Sequence, residues 1–136
     1  MVQGNLRNPA KLSLPRQFRE IRLELAREAH HPEGSRQHGY RLIAPLDAEG
    51  RIDASLWELN RDACRVVRFR PDEEDEIGHL IQRGKGLWAF HYDIKGKDDD
   101  EAGYRFADEK FLLGEYVSIH EADGLRTFQV TSVEHL

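Results

Sequence analysis

One cysteine, Cys64, is all that the 136 residues contain. A lone thiol closes no internal disulfide and builds no cysteine cage around zinc, so the fold must stand on its core. No run of ~18 apolar residues occurs, so no helix is expected to cross a membrane. The opening MVQGNLRNPAKLSLP lacks the apolar segment of a secretory signal, and the cytoplasm is the expected compartment. A glycine-rich phosphate loop is also missing. Gly84-x-Gly86 joins two strand-like runs rather than opening a helix, so no helix N-terminus is offered to a phosphate. No internal repeat and no linker divides the chain.

What is present suits one domain large enough to bury a core unaided. Hydrophobic residues make up 39% and charged residues 33%, a balance typical of a globular protein with a heavily charged surface. The net charge of −5 is unevenly spread. Residues 1–70 carry 13 Lys/Arg against 9 Asp/Glu, or +4; residues 71–136 carry 7 against 16, or −9. Such a dipolar chain is not a uniformly basic nucleic-acid binder, although a local basic face stays open.

The most informative stretch is Gly114 to Val133, GEYVSIHEADGLRTFQVTSV. Asp-Gly between alternating residues is a strong hairpin signal, because a type I′ turn needs φ > 0 at both central positions. With Asp123-Gly124 at the turn, Glu121 faces Arg126, Ile119 faces Phe128 and Val117 faces Val130. These side chains share an apolar face closed by an ion pair. Tyr116, Ser118, His120, Thr127, Gln129 and Thr131 share the polar face.

Upstream, two periods compete between Leu14 and Ala29. Leu14, Phe18, Ile21, Leu25 and Ala29 fit a helix, whereas Ile21, Leu23 and Leu25 alternate as a strand. Only the strand accounts for Leu23, so a long-looped hairpin with Tyr40–Leu46 is expected. Asp53 can cap a short helix of two to three turns that carries Leu56, Leu59 and Ala63 on one side, with Trp57 beside them. In Cys64–Arg70 the period is two, with Val67 and Phe69 expected inward and Arg68 and Arg70 outward. Trp88, Phe90, Tyr92 and Ile94 alternate as the inward face of a further hairpin strand. Its register depends on the turn: two residues put Ile81 opposite Trp88, three put His79 opposite His91. The expected fold is therefore mainly β, an antiparallel small barrel or sandwich with one short helix around 54–63. Residues 1–13 form a flexible arm and 14–136 a single domain. A barrel is favoured, because closure protects edges as apolar as Leu87–Ile94.

Few constellations carry chemistry. His30 and His31 lie in a Pro/Gly loop with His38 seven residues on, but neighbouring histidines point to opposite sides of an extended chain, so the pair chelates poorly. His79 and His91 make a two-ligand start in one register, with no third ligand evident, so no metal site is assigned. The acidic runs Asp72–Glu76 and Asp98–Glu101 do not follow the spacing of a calcium loop and read as solvated loops. Cys64 reads as a buried, inert thiol. Tyr116, Ser118 and His120 share a face, yet nothing supplies an oriented third group. No catalytic residue and no cofactor is therefore assigned. Arg65, Arg68 and Arg70 cluster on one strand, and small barrels use such faces with aromatics to hold single-stranded nucleic acid.

LPRQFREIRLELARE, GYRLIAPLDAEGRID, CRVVRF and GEYVSIHEADG resemble segments of a family of small bacterial proteins of unknown function. That resemblance spans nearly the whole chain and implies a stand-alone cytoplasmic domain, with no activity or cofactor attached. The F-x-x-G-E-Y-V-S-I stretch at 111–119 is similar to strands that open many SH3-like and OB-like small barrels, an analogy of fold that does not fix function. Three functions follow as expectations. The first is a non-catalytic binding or adaptor domain for a protein partner. The others are a binder of single-stranded nucleic acid through Arg65, Arg68 and Arg70, and a small enzyme using His79, His91 or His120. The oligomeric state is left open.

Overall fold

A computed structural model describes residues 14–29, 31–93, 101–103 and 106–136; the expected arm at 1–13, the inward Ile94 and residues 98–100 of the second acidic run lie outside them. Alternation of buried and exposed side chains writes just over half of the described residues into strands. These are β1 (Phe18–Leu25), β2 (Ser35–Pro45), β3 (Arg65–Phe69), β4 (Glu76–Gly84), β5 (Leu87–Tyr92), β6 (Glu101–Gly103), β7 (Tyr116–Glu121) and β8 (Gly124–His135). Seven strands curl into one antiparallel sheet, and the three-residue β6 bridges the remaining gap between β5 and β7. Each strand pairs with its neighbour in sequence, and β8 returns to β1. Closure of this kind leaves few unpaired edges.

The competition at 14–29 is settled in favour of the strand: Ile21, Leu23 and Leu25 all point into the core. They meet Tyr40, Leu42, Val66, Leu80, Phe90, Val117, Ile119, Phe128 and Val130 in a single cluster. Trp88, Phe90 and Tyr92 form the inward face of β5, as expected. One end of the barrel, here the lower, is plugged by apolar groups. Helix α1 (Ala54–Leu59) sits there, and Trp57 packs edge-on against Trp88 at 5.0 Å while its indole N–H donates to the Leu80 carbonyl. No described helix is long and apolar enough to cross a membrane.

Four details depart from the sequence reading. In the last hairpin, Val117 opposes Phe128, Ile119 opposes Arg126 and Glu121 opposes Gly124. The turn residues are Ala122 and Asp123, with Gly124 at φ +128° and Asp123 not at positive φ. The Asp-Gly pair thus occupies the last two positions of a turn rather than its centre, and Arg126 reaches back to Asp123 at 2.6 Å. A shift of two residues preserves every face, which is why the inward set stays correct although its partners change. Helix α1 is shorter than expected, six residues followed by a 3-10 turn at Arg61–Ala63. Asp53 does cap it, accepting from the Leu56 N–H. Its buried residue is Trp57, whereas Leu59 is 78% exposed. The third departure is β3, whose faces are exchanged. Val66 opposes Leu42 and Arg68 opposes Tyr40, both core residues, so Val66, Arg68 and Arg70 face inward and Arg65, Val67 and Phe69 outward, where Val67 is nevertheless buried. Both faces carry an apolar residue, and only the carboxylates waiting inside decide between them. The fourth is Glu76, read as part of an acidic loop, which begins β4; Asp72 to Asp75 remain exposed.

Candidate functional site

The upper end of the barrel is polar. Its centre is Glu121, on the inward face of β7 and only 8% exposed. The Tyr40 hydroxyl donates to Oε2 at 2.5 Å, and the Arg70 guanidinium donates to the same oxygen at 2.7 Å. Across the carboxylate, His38 Nε2 stands 3.4 Å from Oε1 and Arg126 Nε 3.9 Å from it. Burial by itself pushes the Glu121 pKa up. The His38 and Tyr40 hydrogen-bonding groups, with the Arg70 charge, more than offset that and hold the carboxyl below its ordinary value.

Local backbone geometry delivers each of these groups. The register of β1 on β2 runs regularly to Glu24 opposite Gly39 and then jumps to Leu25 opposite Ser35. Arg36, Gln37 and His38 are the extra residues, and such bulges re-aim side chains; here His38 is turned towards Glu121. Gly39 is required where the bulge rejoins the ladder, because a Cβ there would lie 1.9 Å from the Leu23 carbonyl oxygen. Tyr40 is fixed by Phe90 and Phe128, with ring centroids 5.1 and 5.2 Å away. Arg126 also pairs with Glu28 and so ties the chain just after β1 to the same end. The arrangement joins β2, β7, β8 and the residue that follows β3 through one carboxylate. Chemically it is an anchor: Oε2 is occupied by two donors, and the group is kept ionised.

The arginines singled out in the sequence do not share a face. Arg70 points to Glu121, Arg68 pairs with Glu76 at 3.2 Å, and Arg65 lies outside, 3.5 Å from Asp93. The β4–β5 turn takes the register that sets His79 directly opposite His91, on the outer wall, with Lys85-Gly86 at the tip and an irregularity between Gln82 and Gly84. His79 Nδ1 is 3.3 Å from Asp93 Oδ1. Together with Trp57 and Gln82 these histidines border a groove of about 390 Å³. Among the described residues, no three His, Cys, Asp or Glu side chains converge as a metal site does. His120 sits on β7 beyond β6, roughly 10 Å or more from the histidine pair at ordinary strand spacing. Cys64 is buried, and desolvation pushes its thiol up to about 12.

Sequence reasoning overlooked a groove of about 750 Å³ on the outer wall, over the upper part of β1 and β8. Thr127, Gln129 and Thr131 line it from β8, and Tyr116, 58% exposed, stands at its β7 side. Arg27 and Arg36 belong to its other wall. The polar face of the last hairpin was its one visible trace; the wall contributed by the 26–36 segment exists only once that loop folds beside β8. Sequence reasoning took His38 only as a loop histidine and gave Tyr40 no role at a site, whereas Glu121 carried a signal, an acid in step with Val117 and Ile119. No protein-family model, no curated protein and no solved structure matches this chain.

Proposed function

We propose that the protein is a non-catalytic cytoplasmic binding domain that recognises a protein partner, an extended segment of which lies in the groove over β1 and β8. The observation that carries this reading is the groove's floor. Thr127, Gln129 and Thr131 recur at every second residue of β8 and line it together with the Tyr116 ring. Alternate residues on one strand face are ~7 Å apart, so the floor extends roughly 14 Å, the length of four or five residues of extended chain. Hydroxyl and amide groups in a row suit a polypeptide, whereas small-molecule pockets are lined mainly by apolar side chains around a few polar ones. Two further titratable groups are taken up by the fold: Glu121 is held by its own neighbours, and burial pushes the Cys64 thiol up to about 12.

The test is selection of random dodecapeptides displayed on phage, panned against the intact protein and against Thr127→Trp. Thr127 is exposed on a strand, where tryptophan is well tolerated, and the indole fills the groove. Peptides that bind the wild type and are lost on Thr127→Trp support the reading. Failure to select any peptide, or selection indifferent to the indole, refutes it.

A further inference from the structure

We infer that the segment this groove takes is acidic, and that Arg27 and Arg36 read its carboxylates; the inference rests on the groove reading above. Charge accounting on the outer wall of β1 and β2 leads there. Arg22 lies directly opposite Arg41 across the two strands, an arrangement of like charges that is unfavourable by itself. Arg22 is already balanced: its Nε donates to Glu24 Oε2 at 2.7 Å, and its guanidinium lies over the Phe69 ring, 4.4 Å from the centroid. That pair consumes Glu24, one of the two carboxylates that line the groove. Glu28, next along the chain, is taken by Arg126.

What is left over is basic. Among the described residues, Arg27 and Arg36, which line the groove, make no salt bridge or side-chain hydrogen bond, and they stand against a single unengaged lining acid, Glu33. The Arg22 Nη2 donates to the Arg36 carbonyl at 3.1 Å, and Arg36 and Arg27 border the groove; Arg41, on β2 beside Arg22, does not line it. This positive charge belongs to a chain whose net charge is −5, so it is a local feature and not a consequence of overall composition. Guanidinium groups recognise carboxylates through paired N–H donors. An extended chain with acids at alternate positions would set carboxylates ~7 Å apart along the arginine side while its backbone met the Thr and Gln side chains.

The experiment uses the peptides selected on the intact protein, synthesised with fluorescein and titrated by anisotropy at 50 and 250 mM NaCl. The expected result is enrichment of Asp and Glu, affinity that weakens several-fold at the higher salt, and a loss of about tenfold in Arg27→Glu/Arg36→Glu, with a smaller loss in the corresponding double Gln variant. Selected peptides that are neutral or basic, bind the groove and ignore both variants overturn the acidic inference and leave the groove reading standing. A fluorescein-labelled dT12 that binds these arginines more tightly than any peptide overturns the inference in favour of single-stranded nucleic acid. Concentration-dependent self-association abolished by neutralising Asp72, Glu73, Glu74 and Asp75 overturns it in favour of a second copy of this chain.

Discussion

Replacing Glu121 by glutamine removes one charge and almost no volume from the polar cluster at the upper end of the barrel. In the native protein Oε2 receives hydrogen bonds from Tyr40 and Arg70, and Oε1 faces His38 and Arg126. Each hydrogen bond to a charged group contributes ~1.5–3 kcal/mol, and breaking a buried pair costs ~3–5 kcal/mol because the partner charge stays buried. Glutamine retains one acceptor oxygen, so the lower part of that range applies, about 2–3 kcal/mol; alanine should approach ~3–5 kcal/mol. Against a total stability of ~5–15 kcal/mol the effect is large. Urea denaturation followed by tryptophan fluorescence should show the midpoint falling by roughly 1–2 M with an unchanged slope. Combination with Tyr40→Phe forms a double-mutant cycle, and coupling of about 1 kcal/mol or more is expected for groups in direct contact. A Glu121→Gln cost below about 0.5 kcal/mol, or strict additivity with Tyr40→Phe, would refute the role assigned to this carboxylate.

The same site predicts a pH dependence. The folded carboxyl titrates below its unfolded value near 4.5, so between the two values the unfolded chain binds more protons and stability rises with pH. The contribution is complete above about 4.5 and disappears as the pH falls through the folded value. Glu121→Gln should therefore flatten the acid limb of the stability profile without abolishing it, since Asp123, hydrogen-bonded by Arg126, is also lowered. Gly39→Ala forces a Cβ to 1.9 Å from the Leu23 carbonyl; a loss of roughly 3 kcal/mol or more, or failure to fold, is expected by circular dichroism, and near-neutrality would argue that β1 and β2 separate easily. Asp53→Ala removes the cap on the Leu56 N–H and should cost about 1 kcal/mol in the same denaturation assay. Cys64, with its pKa near 12, should resist iodoacetamide at pH 8 until the protein is unfolded; rapid labelling of the native state would show the site to be open.

Alternation alone made most of the barrel legible. Leu23 could be buried only by a strand, and Trp88, Phe90 and Tyr92 marked an inward face before any partner was known. Faces survive register errors of two residues, which is why the misplaced turn at 122–124 left Val117, Ile119 and Glu121 on the correct side. The side chosen for β3 failed for a related reason. Val66 and Val67 offer both faces an apolar residue, and the choice depended on Glu76 and Glu121, the second of which lies 51 residues from Arg70. His38 was equally hidden, because nothing local announces that three residues will bulge from β2. What the sequence determined by itself was period, and with it strand identity and the polarity of each face, since these depend on neighbours two residues apart. Only the tertiary structure decided which face of β3 was interior, which arginines were neutralised and which were left to solvent. Those outcomes depend on charges brought together by closure of the barrel, and no short-range pattern encodes them.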